Sequence, residues 1–283
     1  MLLILLFFSF IIQISTNLFL VNSYNSYTNK EEYNMKSMKK KLSGILIAGS
    51  LVMSLPLTAG ATSDIGQLHK DSLKHKVDYV ALGDSLAAGR TPYDLFDKGY
   101  PDYIVQSLEQ ADHKVFYDNF GASGYTSENV KNDVLTNNEM RKEIKKADVI
   151  TLDIGANDLV KKLYTDPSHI TDALVSVNSN LKVILETINS LNPKGKVYVM
   201  GYYNPFPHYP AEQQAPLLVL LDNLNKTIEG LAVANGDIYV STASVIKANE
   251  KEYVPNPNDI HLTLDGYQLL ANEFLKSISE NQK

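Results

Sequence analysis

The chain contains no cysteine, and that absence removes several classes of protein at once. It excludes disulfide cross-links, thiolate nucleophiles, cysteine-ligated zinc and a lipid-modified cysteine anchor. An HExxH pair, a calcium-loop pattern and a cysteine–histidine cluster are also missing, so no metal and no other cofactor is expected. There is no internal repeat, heptad array or low-complexity tract. Stability therefore has to come from a hydrophobic core. At 44% apolar residues the chain is long enough to build one as a single domain.

Positive charge is scarce where it would matter. Met35 to Lys41 is a basic segment, Leu42 to Leu57 an apolar one and Ala59-Gly60-Ala61 a small-residue cleavage site, the pattern of a secretory signal peptide over 35–61. Removing residues 1–61 takes five lysines and two glutamates from the total of 26 basic and 32 acidic residues, leaving 21 and 30, a net charge of −9. No basic cluster remains to displace counterions from a phosphate backbone, so nucleic acid is not an expected partner. Anionic lipid headgroups gain no attraction either, and no stable protein partner is expected. Residues 1–34 precede the signal pattern and read as an upstream extension from a start assigned too early. The alternative is a membrane anchor over residues 2–20, which are about long enough to span a bilayer.

After a polar leader over 62–76, strand-like and helix-like segments alternate to the end of the chain. Strands are expected from Val77 to Ser85, Lys114 to Asn119, Asp148 to Ile154, Lys196 to Tyr203 and Asp237 to Val240. Helical patterning covers Tyr103 to Gln110 and Thr126 to Lys146, the latter broken near Thr136-Asn137-Asn138. Ile170, Leu174, Val177, Leu181, Ile184, Ile188 and Leu191 recur at steps of four and three, the stripe of a helix lying on a sheet. Further helices are expected around Leu217 to Leu231 and from about Leu264 to Ser279. Alternation of this kind is solved most simply by one parallel, doubly wound sheet with helices on both faces, a flavodoxin-like three-layer α/β/α domain over 77–283.

The most informative stretch is Val77 to Leu86, where an apolar run stops at Gly83-Asp84-Ser85. In open α/β sheets ligands bind beyond the carboxyl ends of the strands, so a serine held there meets substrate rather than core. A phosphate-loop reading fails, because five residues rather than four separate Gly83 from Gly89 and Arg90 occupies the lysine position.

This stretch resembles the signature of the GDSL, or SGNH, hydrolases. The later blocks of that family have counterparts in order: Asn119 to Gly124, Gly155-Ala156-Asn157-Asp158, and Asp259-Ile260-His261. The resemblance implies the same α/β/α fold and a serine nucleophile at Ser85. It also implies an oxyanion hole from the N–H groups of Ser85 and Gly121 and the side-chain amide of Asn157.

A serine hydroxyl needs a neighbouring base. Of the six histidines, His261 follows the last strand and can return to the first, and the family's base sits in this block. The family places an aspartate three residues before it, where this chain has Asn258; Asp259 stands two before. Asp259 is the favoured orienting group, with Asn258 or a backbone carbonyl as alternatives. Tyr203 and Phe206, after the fourth strand, are candidates to line an acyl pocket.

The expected activity is that of a secreted serine esterase acting on lipid or short-chain acyl esters through an acyl-enzyme on Ser85. One alternative is a cell-wall or polysaccharide O-acetylesterase, and another is a non-catalytic surface-binding protein on a degenerate hydrolase fold. The exported protein is expected to begin at Thr62. Amino-terminal sequencing from culture medium checks this, and a secreted form retaining residues 1–34 would contradict it.

Overall fold

The computed structural model describes residues 75–281. The signal segment, the upstream extension and nearly all of the 62–76 leader lie outside the described residues. Five strands, β1 (Lys76–Gly83), β2 (Lys114–Gly121), β3 (Val149–Asp153), β4 (Lys196–Gly201) and β5 (Ile238–Ser241), form one sheet in the order β2-β1-β3-β4-β5. Every pairing is parallel. This is the flavodoxin-like order. The chain leaves β1 for one neighbour and then crosses to the other, opening a crevice at the carboxyl ends of β1 and β3.

The helices are α1 (Tyr100–Gln110), α2 (Ser127–Thr136), α3 (Asn138–Ile144), α4 (Ala156–Thr165), α5 (Ile170–Leu191), α6 (Ala211–Ala234), α7 (Ala243–Lys247), α8 (Glu250–Tyr253) and α9 (Leu264–Glu280). By the right-handed rule for parallel crossovers, α1 and the helices of the later crossovers, α2 to α6, belong on opposite faces of the sheet. Accordingly α9 returns to pack on α1, while α2, α4 and α6 each pack on α5. Tyr100 of α1 stacks on Phe274 of α9 with ring centroids 4.7 Å apart. Every residue of β3 is buried, as expected of a strand covered on both faces. The α5 stripe sets Val177, Leu181, Ile184 and Ile188 into the core.

Several boundaries differ from those the sequence suggests, each for a local reason. β1 stops at Gly83 rather than Ser85, because Asp84 turns the chain: its Oδ1 accepts from the Leu86 N–H at 3.0 Å and its carbonyl from Ala88 N–H at 3.1 Å. β4 ends at Gly201, since the Asn225 side chain bonds both the N–H and the carbonyl of Tyr202 at 2.7 and 2.8 Å. α1 begins at Tyr100, where Asp102 accepts from the Gly99 N–H. α6 starts earlier than its apolar stripe and carries Pro216 inside it. Helix α4 has no counterpart among the sequence expectations.

Gly83 binds the sheet to the site. Its φ is +155°, and a Cβ there would lie 2.2 Å from Asp153 Oδ1 and 2.7 Å from the Asp153 carbonyl oxygen. Gly83→Ala is therefore expected to destabilise the domain by about 2 kcal/mol or more. The check is a lower urea midpoint at unchanged m-value.

Candidate active site

Ser85 sits two residues past the end of β1 and is only 6% exposed. His261, on the segment between α8 and α9, reaches it across 176 residues of sequence, with Nε2 2.8 Å from Ser85 Oγ. Asp259 Oδ1 lies 2.6 Å from His261 Nδ1 and also accepts the His261 backbone N–H at 2.8 Å. An ionised carboxylate only accepts, so Nδ1 carries the ring proton. Nε2 is then the acceptor of the Ser85 hydroxyl. One oxygen thus fixes both the tautomer and the angle of the ring.

Asn258, at the position where the resembled pattern has its aspartate, is exposed, and its N–H donates to Asn256 Oδ1. The residue against the imidazole is Asp259. Burial by itself would raise the Asp259 carboxyl, but the hydrogen bonds and charge of His261, with the nearby Arg90 guanidinium, hold it below its ordinary value.

The histidine segment is tied down on both sides. Tyr203 donates its hydroxyl to the Ile260 carbonyl at 2.8 Å. Asn256 Nδ2 donates to the Pro92 carbonyl at 2.7 Å, joining the segment to the loop after Ser85. Tyr267 in the first turns of α9 donates to the Arg90 carbonyl, and Arg90 in turn donates to Ser123 Oγ at 3.1 Å.

The three expected oxyanion donors differ in their present engagements. Gly121 lies against the serine turn so closely that a Cβ would be 2.6 Å from Ala87 Cβ and 2.7 Å from Ala88 N. Its N–H is held by Asn119 Oδ1 at 2.8 Å, while Asn119 Nδ2 donates to the Ala87 carbonyl at 2.8 Å. Asn119, which sequence reasoning gave no role, therefore clamps the two turns together. Asn157, in the first turn of α4, donates one amide hydrogen to the Tyr125 carbonyl at 2.9 Å. An amide has a second hydrogen, so that bond orients the group without exhausting it.

The two aromatic residues proposed to line an acyl pocket part company. Tyr203 is 3% exposed and packs in the core; with its hydroxyl spent on Ile260, it supports the histidine segment instead of facing substrate. Phe206 does line a groove, with Ala156, Leu159 and Leu163 of α4 and Leu217, Leu221 and Leu224 of α6 among its walls. The groove is open to solvent and encloses a cavity of about 50 Å³. Its walls follow helical spacing on both sides, which is why the unrecognised helix α4 hid the groove from sequence reasoning.

Beneath the serine turn lies a second group of residues that the motif did not announce. Asp84, Asp153, Tyr100 and Tyr202 are all buried and joined by hydrogen bonds. The available signal was Asp153 itself, a carboxylate between Leu152 and Ile154 in an otherwise uncharged run.

The sequence profile of the GDSL-like lipase/acylhydrolase family matches residues 81–269. The spore germination lipase LipC of Bacillus licheniformis is 26% identical over 209 residues, covering 70% of this chain and 94% of that protein. Among solved structures, the lipase Lip_vut3 from a goat rumen metagenome is 25% identical with a TM-score of 0.57, covering 72% of this chain and 97% of its own. Axe2, an acetylxylan esterase from Geobacillus stearothermophilus, shares the fold with a TM-score of 0.58 at 19% identity, covering 73% and 95%.

Tyr203→Phe leaves the Ile260 carbonyl without its donor, and a loss of about 1 kcal/mol is expected. Urea unfolding run beside ester kinetics checks the assignment. A raised KM at unchanged stability would return Tyr203 to substrate binding.

Proposed function

Because the chain belongs to the GDSL-like lipase/acylhydrolase family and is a carboxylic-ester hydrolase, we propose that it is an exported serine esterase that works through an acyl-enzyme on Ser85. The observation that carries this reading is the buried relay from Ser85 Oγ through His261 Nε2 at 2.8 Å and from Nδ1 to Asp259 at 2.6 Å.

The chemistry follows from that geometry. Ser85 Oγ attacks the ester carbonyl carbon while its proton passes to His261 Nε2. The imidazolium so formed is stabilised by Asp259, and the tetrahedral oxyanion by the N–H of Ser85, the amide of Asn157 and the N–H of Gly121 on release from Asn119. Collapse breaks the carbon–oxygen bond, and His261 returns the proton to the departing alcohol. A water molecule then repeats the sequence on the acyl-enzyme, with His261 taking its proton, and releases the acid and free Ser85.

The groove favours an acyl chain of some length as substrate. Its walls are apolar, so burying methylenes there contributes binding of about 0.8 kcal/mol for each one fully buried. The relay itself weighs against a non-catalytic surface-binding role. Export is supported by the signal pattern over 35–61.

Ser85→Ala is expected to abolish turnover of p-nitrophenyl esters, and Asp259→Asn to lower kcat by a factor on the order of 10³ to 10⁴ near neutral pH. Over esters of graded length, kcat/KM is expected to rise from acetate to medium-length chains. Leu163→Phe, which narrows the groove, should move the preference toward shorter acyl groups. Full turnover by Ser85→Ala would refute the mechanism, and a preference for acetylated glycans over every longer acyl ester would refute the substrate class.

A further inference from the structure

We infer that Asp84 and Asp153 act as one buried acid pair holding a single proton, with a neutral Asp153 donating to a charged Asp84, and that this charge supports the histidine opposite Ser85 alongside Asp259. The inference rests on the Ser85–His261 reading above and concerns what stands behind it.

The geometry carries the argument. Asp153 is 0% and Asp84 2% exposed, and the register pairs Gly83 of β1 with Asp153 of β3. The Asp84 N–H donates to Asp153 Oδ2 at 3.2 Å, which sets the two acidic residues side by side in the core. The missing Cβ of Gly83 is what admits Asp153 Oδ1 to this position. Tyr100 donates to Asp153 Oδ1 at 2.7 Å, while Asp84 accepts from Tyr202 at 2.9 Å and from the Leu86 N–H at 3.0 Å.

Two buried carboxylates this close cannot both be ionised. None of the groups acting most strongly on either one is a lysine or arginine. The surrounding titratable groups are tyrosines: Tyr79 of β1, Tyr100 of α1, Tyr202 and Tyr203 after β4, and Tyr267 of α9. Tyr117 of β2 and Asp158 of α4 are more distant influences, and His261 is the one base in the set. Burial, reinforced by the charge of Asp84, pushes the Asp153 carboxyl well above the usual range. Burial raises Asp84 too, but it is offset by bonds from Asp153, Leu86 and Tyr202 and by His261. The proton therefore resides on Asp153 and the charge on Asp84, one residue from the nucleophile. Both are positioning groups, since neither touches the reacting atoms.

The sign of the pH effect follows. The native state keeps a proton on Asp153 that the unfolded chain releases in the ordinary carboxylate range. This contribution to stability is full below that range and is lost as pH rises toward the raised value of Asp153.

Infrared spectroscopy of the whole protein at neutral pH is the direct test. A protonated-carboxyl band that shifts in deuterium oxide is expected in the native enzyme and in Ser85→Ala, and it should vanish in Asp153→Asn. Asp84→Asn should lower kcat about tenfold or more with KM little changed. Asp153→Ala should lose at least as much, and Asp153→Asn, a neutral donor, should restore most of it. Urea stability should fall less between mildly acid and alkaline pH in Asp153→Asn than in the native chain. Absence of the band, its survival in Asp153→Asn, or native kcat in Asp84→Asn would each overturn the pair. Turnover by Ser85→Ala would instead defeat the hydrolytic mechanism while leaving the band in place, so the two failures are separable.

Discussion

A single carboxylate oxygen, Asp259 Oδ1, accepts both the backbone N–H and the ring Nδ1–H of His261, and the arrangement of the site depends on that double bond. An imidazole on a loop can turn about two side-chain torsions. Fixing its backbone and its ring with one acceptor leaves Nε2 a single direction, and Ser85 lies in that direction at 2.8 Å. Holding Asp259 steady is then a task for the surroundings. Its N–H bonds the Asn256 carbonyl, Asn256 bonds Pro92 of the serine-side loop, and Tyr203 holds Ile260 between them. The two halves of the relay come from opposite ends of the domain and are joined by these ties rather than by the relay bond alone.

The same crevice depends on glycine and on burial. Gly83 and Gly121 are paired residues of β1 and β2, and each is a point where another backbone or side chain occupies the space of a Cβ. Gly83 admits Asp153 under the serine turn, and Gly121 lets the end of β2 lie on Ala87 and Ala88. Removing water from this corner strengthens each polar contact, and it also makes unpaired groups costly. The tyrosines at 100, 202 and 203 meet both demands by packing their rings in the core and donating their hydroxyls to protein oxygens.

The number of strands and the stripe of the long helix Ile170–Leu191 were legible because each depends on local periodicity, and the alternation of strands and helices pointed to the parallel, doubly wound class. The Ser85 and His261 blocks were legible because a strand end and a late loop are where an open sheet collects its chemistry. The choice of Asp259 over Asn258 was only half visible, since two adjacent residues differ little in sequence and their orientation is set by Asn256. Helix α4 escaped because it follows directly on a strand-end block, whose residues were assigned to a turn. With it went the groove, which exists only as the gap between two helices. Tyr203 was misread because an aromatic after a strand can point to either side of the sheet edge, and sequence does not say which.

The central claim is that the buried relay makes Ser85 a nucleophile. Reaction of the protein with a fluorophosphonate, followed by intact-mass measurement and mapping of the modified peptide, tests it most directly. The account predicts one adduct per chain, located on Ser85, formed far more slowly in His261→Ala and absent in Ser85→Ala. An adduct on another residue, or ester hydrolysis by a protein that takes no adduct at Ser85, would contradict it.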